Sequence, residues 1–193
     1  MDHVVKASKI LKDGGIVIFP TDTAFGIGCR VDDEEAVKRL FQLRRRPKTQ
    51  ATPVLISSLR MAEDFLLPVP KDVLDKLIEP YWPGALTIIL YCKTEKVPEL
   101  VRGGRSMHGV RIPDHMTTLA LIDEVGTPIL GPSANFHGGK TPFIFADLDP
   151  ELVKLVDYVI PGECYQKEAS TVIDTTVIPW QIVRQGAVTI KNL

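Results

Sequence analysis

Four cations fall within five residues at Arg44-Arg45-Arg46-Pro47-Lys48. A helix C-terminus accommodates one or two such charges, because its exposed carbonyls favour cations. Four in so short a span repel one another, and an anionic partner such as a nucleotide phosphate or an RNA backbone relieves that repulsion. Short polar groups collect at four further places, each beside an apolar run: Pro20-Thr21-Asp22-Thr23, Arg111-Ile112-Pro113, Pro132-Ser133-Ala134-Asn135 and Ser170-Thr171. In open α/β sheets ligands bind where loops converge at strand ends. A Ser or Thr in such a loop also serves as a turn former or helix cap, so each loop taken singly allows either role.

Several other chemistries find no support. The sequence has no GxxxxGK[ST] and no GxGxxG, and Gly26-Ile27-Gly28 is only a two-glycine fragment. No GxSxG elbow is present, and Ser133 has no evident His partner, so a binding role suits it better than that of a nucleophile. Cys29, Cys92 and Cys164 are far apart and form no CxxC pair, while His3, His108, His115 and His137 show neither helical ligand spacing nor HExxH. Neither a zinc site nor a disulfide framework is expected, metal ligands stay unassigned, and a reduced cytoplasm is the simplest compartment.

The 193 residues suffice for one domain over 1–193 with a real core. A net charge of −1 argues against a protein that holds nucleic acid mainly through phosphate contacts, although a local basic patch is compatible with it. The N-terminal residues lack the apolar stretch of a signal peptide, and no run approaches the ~20 apolar residues of a membrane span. A soluble, intracellular protein with no membrane partner is expected.

The elements that must position these residues follow from periodicity. Residues 2 to 13 read as an amphipathic helix stopped by Gly14-Gly15. Ile16 to Phe19 reads as a buried strand. Asp32 to Leu43 reads as a helix with a capping box of Asp32 and Glu35, an inner stripe of Val37, Leu40 and Phe41, and Pro47 to end it. Further helices are expected at 59–66, 70–78, 117–125 and 150–155. Strands are expected at 54–56, 86–90, 109–112, 128–130, 158–160, 171–174, 181–184 and 188–190. Irregular alternation with hairpin-like spacings favours one α/β domain with a mixed sheet over a strict βαβ array. Arg102-Gly103-Gly104-Arg105-Ser106 is the expected mobile segment.

Taken in order, the loops resemble the YrdC family. Pro20-Thr21-Asp22-Thr23-Ala24-Phe25-Gly26-Ile27-Gly28 resembles its opening motif Pro-Thr-Glu-Thr-Val-Tyr-Gly-Leu-Gly, and Arg44-Arg45-Arg46-Pro47 its Lys-x-Arg-Pro. Trp82-Pro83-Gly84-Ala85-Leu86-Thr87, Arg111-Ile112-Pro113-Asp114-His115, Pro132-Ser133-Ala134-Asn135, Ser170-Thr171-Val172-Ile173-Asp174 and Arg184-Gln185-Gly186 match the remaining motifs. The similarity covers about residues 5 to 190. It implies a twisted mixed sheet, parallel and antiparallel, with flanking helices around a concave cationic cavity, a fold shared in outline with dihydroxybutanone phosphate synthase. Some relatives carry a C-terminal domain that this chain is expected to lack.

The resemblance implies a threonylcarbamoyl-AMP synthase, a nucleotidyltransferase. L-threonine and bicarbonate give a carbamate that attacks the α-phosphate of ATP, with Mg2+ on the phosphates as the expected helper. Threonylcarbamoyl-transferase complex proteins are the implied partners, passing the group to an adenosine of tRNA. Residue by residue, it places Arg44 and Arg46 at catalytic phosphate contacts and Arg46, Thr52, Ser133, Thr141 and Arg184 around ATP. Thr23, Ser57, Arg111, Gly131 and Ser170 fall at threonine-contacting positions, with Arg111 as bidentate partner of the carboxylate. Asp22 stands for the family Glu, Phe25 for Tyr, Thr52 for an Asn and Ser57 for a His, in a loop from Pro47 that is slightly lengthened. The alternative is a tRNA- or double-stranded-RNA-binding module without adenylation activity. Carbamate adenylation as in hydrogenase maturation proteins ranks lower, because the zinc-finger and acylphosphatase segments of those longer chains are missing.

Overall fold

The structure, a computed structural model, describes residues 2–191. Met1, Asn192 and Leu193, which the reading of one domain over 1–193 includes, lie outside the described residues. In chain order the elements are α1 (Asp2–Lys12), β1 (Val17–Phe19), β2 (Gly26–Gly28), α2 (Glu34–Leu43), β3 (Val54–Leu55) and α3 (Leu59–Ala62). A continuous helical stretch follows, made of α4 (Lys71–Val73), a π-turn (Leu74–Ile78) and α5 (Glu79–Tyr81). Then come β4 (Leu86–Tyr91), α6 (Glu99–Arg102), β5 (Met107–Arg111), α7 (Met116–Val125), β6 (Ile129–Leu130), a 3-10 turn (Phe145–Asp147), α8 (Pro150–Leu155), β7 (Tyr158–Val159), β8 (Thr171–Asp174) and β9 (Gln181–Arg184).

Two mixed sheets carry the fold, ordered β2-β1-β7 and β6-β3-β5-β4-β8-β9. Parallel pairs (β1 with β7, β3 with β5, β4 with β8) alternate with antiparallel ones (β1 with β2, β3 with β6, β4 with β5, β8 with β9). The expected mixed α/β fold with flanking helices is therefore the one observed. Val17, Ile18 and Phe19 are buried on both faces, which explains why β1 reads as an unbroken apolar run rather than an alternating one. Ile16, Ile18, Phe25, Leu40, Leu86 and Ile88 belong to the larger apolar core, and Phe19, Leu11 and Leu121 to a smaller one under α1 and α7. Each such side chain contributes roughly 1.5–3 kcal/mol by leaving water.

Several expectations need correction. The cap of α2 is Asp33, not Asp32: its carboxylate accepts from the Ala36 backbone N–H at 3.0 Å, while Asp32 pairs with Arg30. That helix ends at Leu43, before Pro47 acts, because Arg45 takes a left-handed conformation (φ 53°). The helix expected over 59–66 stops at Ala62, so that Leu66 can swing into the core and bridge to Cys92. The helix expected to stop at Ile78 continues to Tyr81. Residues 188–190 form no strand; the Val188 carbonyl and N–H bond to Thr171 Oγ1. The Gly26-Ile27-Gly28 fragment, by contrast, is a buried strand. The segment expected to be mobile closes α6: Arg102 donates to the Val97 and Arg105 carbonyls, and Gly103 packs on the 49–51 backbone.

Candidate active site

A cavity of about 170 Å3 opens where the two sheets meet. The turn after β1 supplies Thr21 and Thr23, the end of α2 supplies Arg44 and Arg46, and the end of β5 supplies Arg111. The opposite wall holds Gly131 and Ser133 after β6, Thr141, Ser170 before β8, and Arg184 in β9. Residues from every polar loop singled out in the sequence thus share one space. The order of the strands explains why: β2 carries the 132–134 loop across to the smaller sheet through Ile27 N–H to Pro132 O (2.9 Å) and Ala134 N–H to Phe25 O (2.8 Å).

The arginine run divides its labour. Arg44 is buried at 3% exposure, and its Nε donates to the Asn135 carbonyl at 3.0 Å. Its Nη1 is buried without any partner. Burial, and then the neighbouring Arg46, push its pKa down to about 10. The left-handed turn at Arg45 sends that side chain outward, over the Phe136 ring at 4.8 Å. Arg46 then faces back to the cavity, held by the Gln50 carbonyl at 3.2 Å and by the Ala51 carbonyl, and burial lowers its pKa too. Among the described residues no carboxylate lines the cavity. Two desolvated guanidiniums facing one space form an electrostatic trap for an anion.

On the other wall Arg111 is fixed at three nitrogens. Nε donates to the Gly84 carbonyl (2.9 Å), Nη1 to Thr23 Oγ1 (2.8 Å), and Nη2 to the Asp22 carboxylate, with which it forms a buried ion pair. Burial lowers the Arg111 pKa, and Asp22 opposes that effect. Of its five N–H donors, one on each terminal nitrogen stays available, which is the pattern a carboxylate can take up bidentately. Thr21 serves as the turn former: its Oγ1 bonds the Ala24 carbonyl at 2.6 Å and accepts from the Thr23 and Ala24 amides. Ser170 Oγ lies 2.9 Å from Thr87 Oγ1 and accepts from Arg184 Nη2 at 3.0 Å. Gly131 is a glycine for steric reasons, since a Cβ there would stand 2.3 Å from Leu55 Cγ.

Two expected contacts fall outside the lining. Thr52 is 1% exposed, with its Oγ1 buried and unpartnered, and its amide donates to the Val101 carbonyl at 2.9 Å. Ser57 Oγ turns to Met61 Sδ at 3.9 Å, at the start of α3. Both lie beyond the turn at Pro47, in the loop that the resemblance reads as slightly lengthened. The sequence reading missed Thr87 and the structural role of Asp22. Thr87 was visible as the last residue of Trp82-Pro83-Gly84-Ala85-Leu86-Thr87, where it passed for one more strand residue. Among the described residues no group of three His, Cys, Asp or Glu side chains gathers to hold a metal ion, and the three cysteines are free and buried. Among the described residues no helix is long and apolar enough to cross a membrane.

Residues 9–186 match the family model Sua5_yciO_yrdC, described as telomere recombination. A threonylcarbamoyl-AMP synthase of Bacillus subtilis is 35% identical over 159 residues, which are 80% of this chain and 46% of that protein. One of Pyrococcus abyssi is 33% identical over 188 residues, covering 97% of this chain and 55% of the relative. The crystal structure of P. abyssi Sua5 complexed with L-threonine superposes with a TM-score of 0.87 at 32% identity, over 95% of this chain and 54% of that one. The crystal structure of Escherichia coli YciO superposes with a TM-score of 0.83 at 27% identity, over 97% and 91% of the two chains. The chain thus spans about half the length of the two synthases and most of YciO.

Proposed function

Because the chain belongs to the Sua5/YciO/YrdC family, we propose that it acts as a threonylcarbamoyl-AMP synthase, making L-threonylcarbamoyladenylate and pyrophosphate from L-threonine, bicarbonate and ATP. The observation that carries this reading is the pair Arg44 and Arg46 in a cavity without a lining carboxylate, with Arg44 Nη1 buried and unpartnered. A polyphosphate is the anion that satisfies both.

The reaction joins two anions. Threonine's amine takes up carbon dioxide to give a carbamate, a carbamate oxygen attacks the α-phosphate, and pyrophosphate leaves. No covalent nucleophile is needed, so the protein's contribution is alignment and charge neutralisation. In this reading Arg44 and Arg46 neutralise phosphate charge, with Ser133, Thr141 and Arg184 completing the nucleotide side. Thr23, Arg111, Gly131 and Ser170 hold the amino acid, Arg111 taking its carboxylate with the two free N–H groups. The lining offers hydroxyl and backbone oxygens but no carboxylate. That donor set would suit a magnesium ion brought in with the nucleotide, which the hydroxyls of Ser133 and Thr141 would meet and which would supply further neutralisation of phosphate charge. The product then passes to threonylcarbamoyl-transferase proteins that modify an adenosine of tRNA in the cytoplasm.

The test is pyrophosphate release by the purified chain with ATP, Mg2+, bicarbonate and single amino acids. Release that requires both threonine and bicarbonate is expected. Release indifferent to threonine overturns the reading, and salt-sensitive RNA binding without ATP turnover returns the binding-module alternative.

A further inference from the structure

We infer that Thr87 belongs to the amino-acid subsite, its hydroxyl donating to the substrate carboxylate beside Arg111. The inference rests on the adenylation reading for the identity of the substrate and on the strand geometry for the residue.

In the antiparallel ladder of β4 and β5, Ile88 pairs with Val110, so one step further Thr87 comes opposite Arg111. Directly opposed residues share a face of the sheet. Gly109 lies diagonally across, and a Cβ there would stand 2.9 Å from Thr87 Cγ2. The glycine leaves room for the methyl group in the rotamer that turns the hydroxyl to Ser170. Thr87 is 5% exposed and lines the cavity.

The direction of the hydrogen bonds follows from the donors available. A guanidinium only donates, so Ser170 Oγ accepts from Arg184 Nη2. A hydroxyl that accepts from a cation becomes a stronger donor itself, because bonds in a chain polarise one another. In this assignment Ser170 is the donor in its 2.9 Å hydrogen bond with Thr87 Oγ1, a bond in which either hydroxyl can donate. The Thr87 proton is left to point into the cavity, beside the free N–H groups of Arg111. The chain Arg184 to Ser170 to Thr87 ends in a polarised donor at the place where an anionic oxygen is expected.

Thr87→Val removes the hydroxyl, keeps the shape and suits a strand; Thr87→Ser keeps the hydroxyl. Threonine KM should rise about 10- to 100-fold in Thr87→Val, the effect of losing a hydrogen bond to a charged group, with ATP KM within about twofold of wild type. Thr87→Ser should restore threonine KM to within about threefold. A threonine KM unchanged in Thr87→Val, or equally raised in Thr87→Ser, overturns the assignment. Calorimetric titration with L-threonine alone separates the two failures. A wild-type chain that binds threonine without releasing pyrophosphate overturns adenylation, and wild-type affinity in Thr87→Val overturns the role of Thr87. Absence of threonine binding by the wild-type chain overturns both.

Discussion

Asp22 and Arg111 form an ion pair with only 3% and 6% of their side chains exposed, and Arg111 alone of the two lines the cavity. The family Glu is here an Asp, one methylene shorter, and it still reaches the guanidinium. Removing one partner of a buried pair leaves a charge without solvent or counterion. Asp22→Ala should therefore cost about 3–5 kcal/mol of unfolding free energy and weaken threonine binding more than ATP binding. Denaturant unfolding and calorimetry measure the two effects. A loss below about 1 kcal/mol would mean that the pair contributes little.

Arg44 presents the reverse case. Its Nη1 is buried with no partner and no carboxylate faces it, so the empty protein bears an unpaired charge. Arg44→Met, of similar length, should leave the melting temperature at or above the wild-type value while cutting pyrophosphate release by at least about 100-fold. A variant that melts more than about 5 °C lower would show that Arg44 is structural.

Gly103 acts on Arg46 at second hand. It sits at φ 59°, and a Cβ there would meet Ala51 N at 2.7 Å and Thr49 O at 2.8 Å. Ala51 and Gln50 supply the two carbonyls that hold the Arg46 guanidinium. Gly103→Ala should destabilise the fold by about 1–3 kcal/mol and raise ATP KM more than threonine KM, since the displaced loop carries the phosphate contact. Equal shifts in both KM values would contradict this path.

His108 gives the fold an acid limit. It is 2% exposed, its Nδ1 has no partner, and burial followed by the nearby Arg102 charge lowers its pKa to about 4. Between that value and the ordinary value near 6.5, the unfolded chain binds the proton and the native one does not, so stability rises with pH across this window. A His108→Leu variant should flatten the slope between pH 4 and 6.5, which for one such group amounts to on the order of 3 kcal/mol. An unchanged slope would assign the acid sensitivity elsewhere.

What the sequence made legible was order and residue type. β8, β9 and α8 have the expected bounds because Gly, Pro and Asp punctuate them clearly. The loops at Thr23, Arg111, Ser133 and Ser170 meet in one cavity, as strand ends in an α/β sheet should. Periodicity gave no sign of the turn at Arg45, because a left-handed Arg leaves no compositional mark. That turn explains how Arg44 and Arg46 share the cavity while Arg45 stays outside. Thr52 and Ser57 lie outside the lining, Thr52 buried with its amide on the Val101 carbonyl and Ser57 turned to Met61, contacts that a motif does not display. Thr87 and Asp22 depend on cross-strand neighbours, which a linear reading does not display.

The most direct test of the central claim follows the carbon. The purified chain is incubated with ATP, Mg2+, L-threonine and 13C-labelled bicarbonate, and the nucleotide products are analysed by mass spectrometry. The account predicts an AMP adduct heavier by a threonylcarbamoyl group with one labelled carbon, formed together with pyrophosphate and only when threonine is present. Pyrophosphate with an unlabelled adduct, or a labelled adduct formed without threonine, would contradict it.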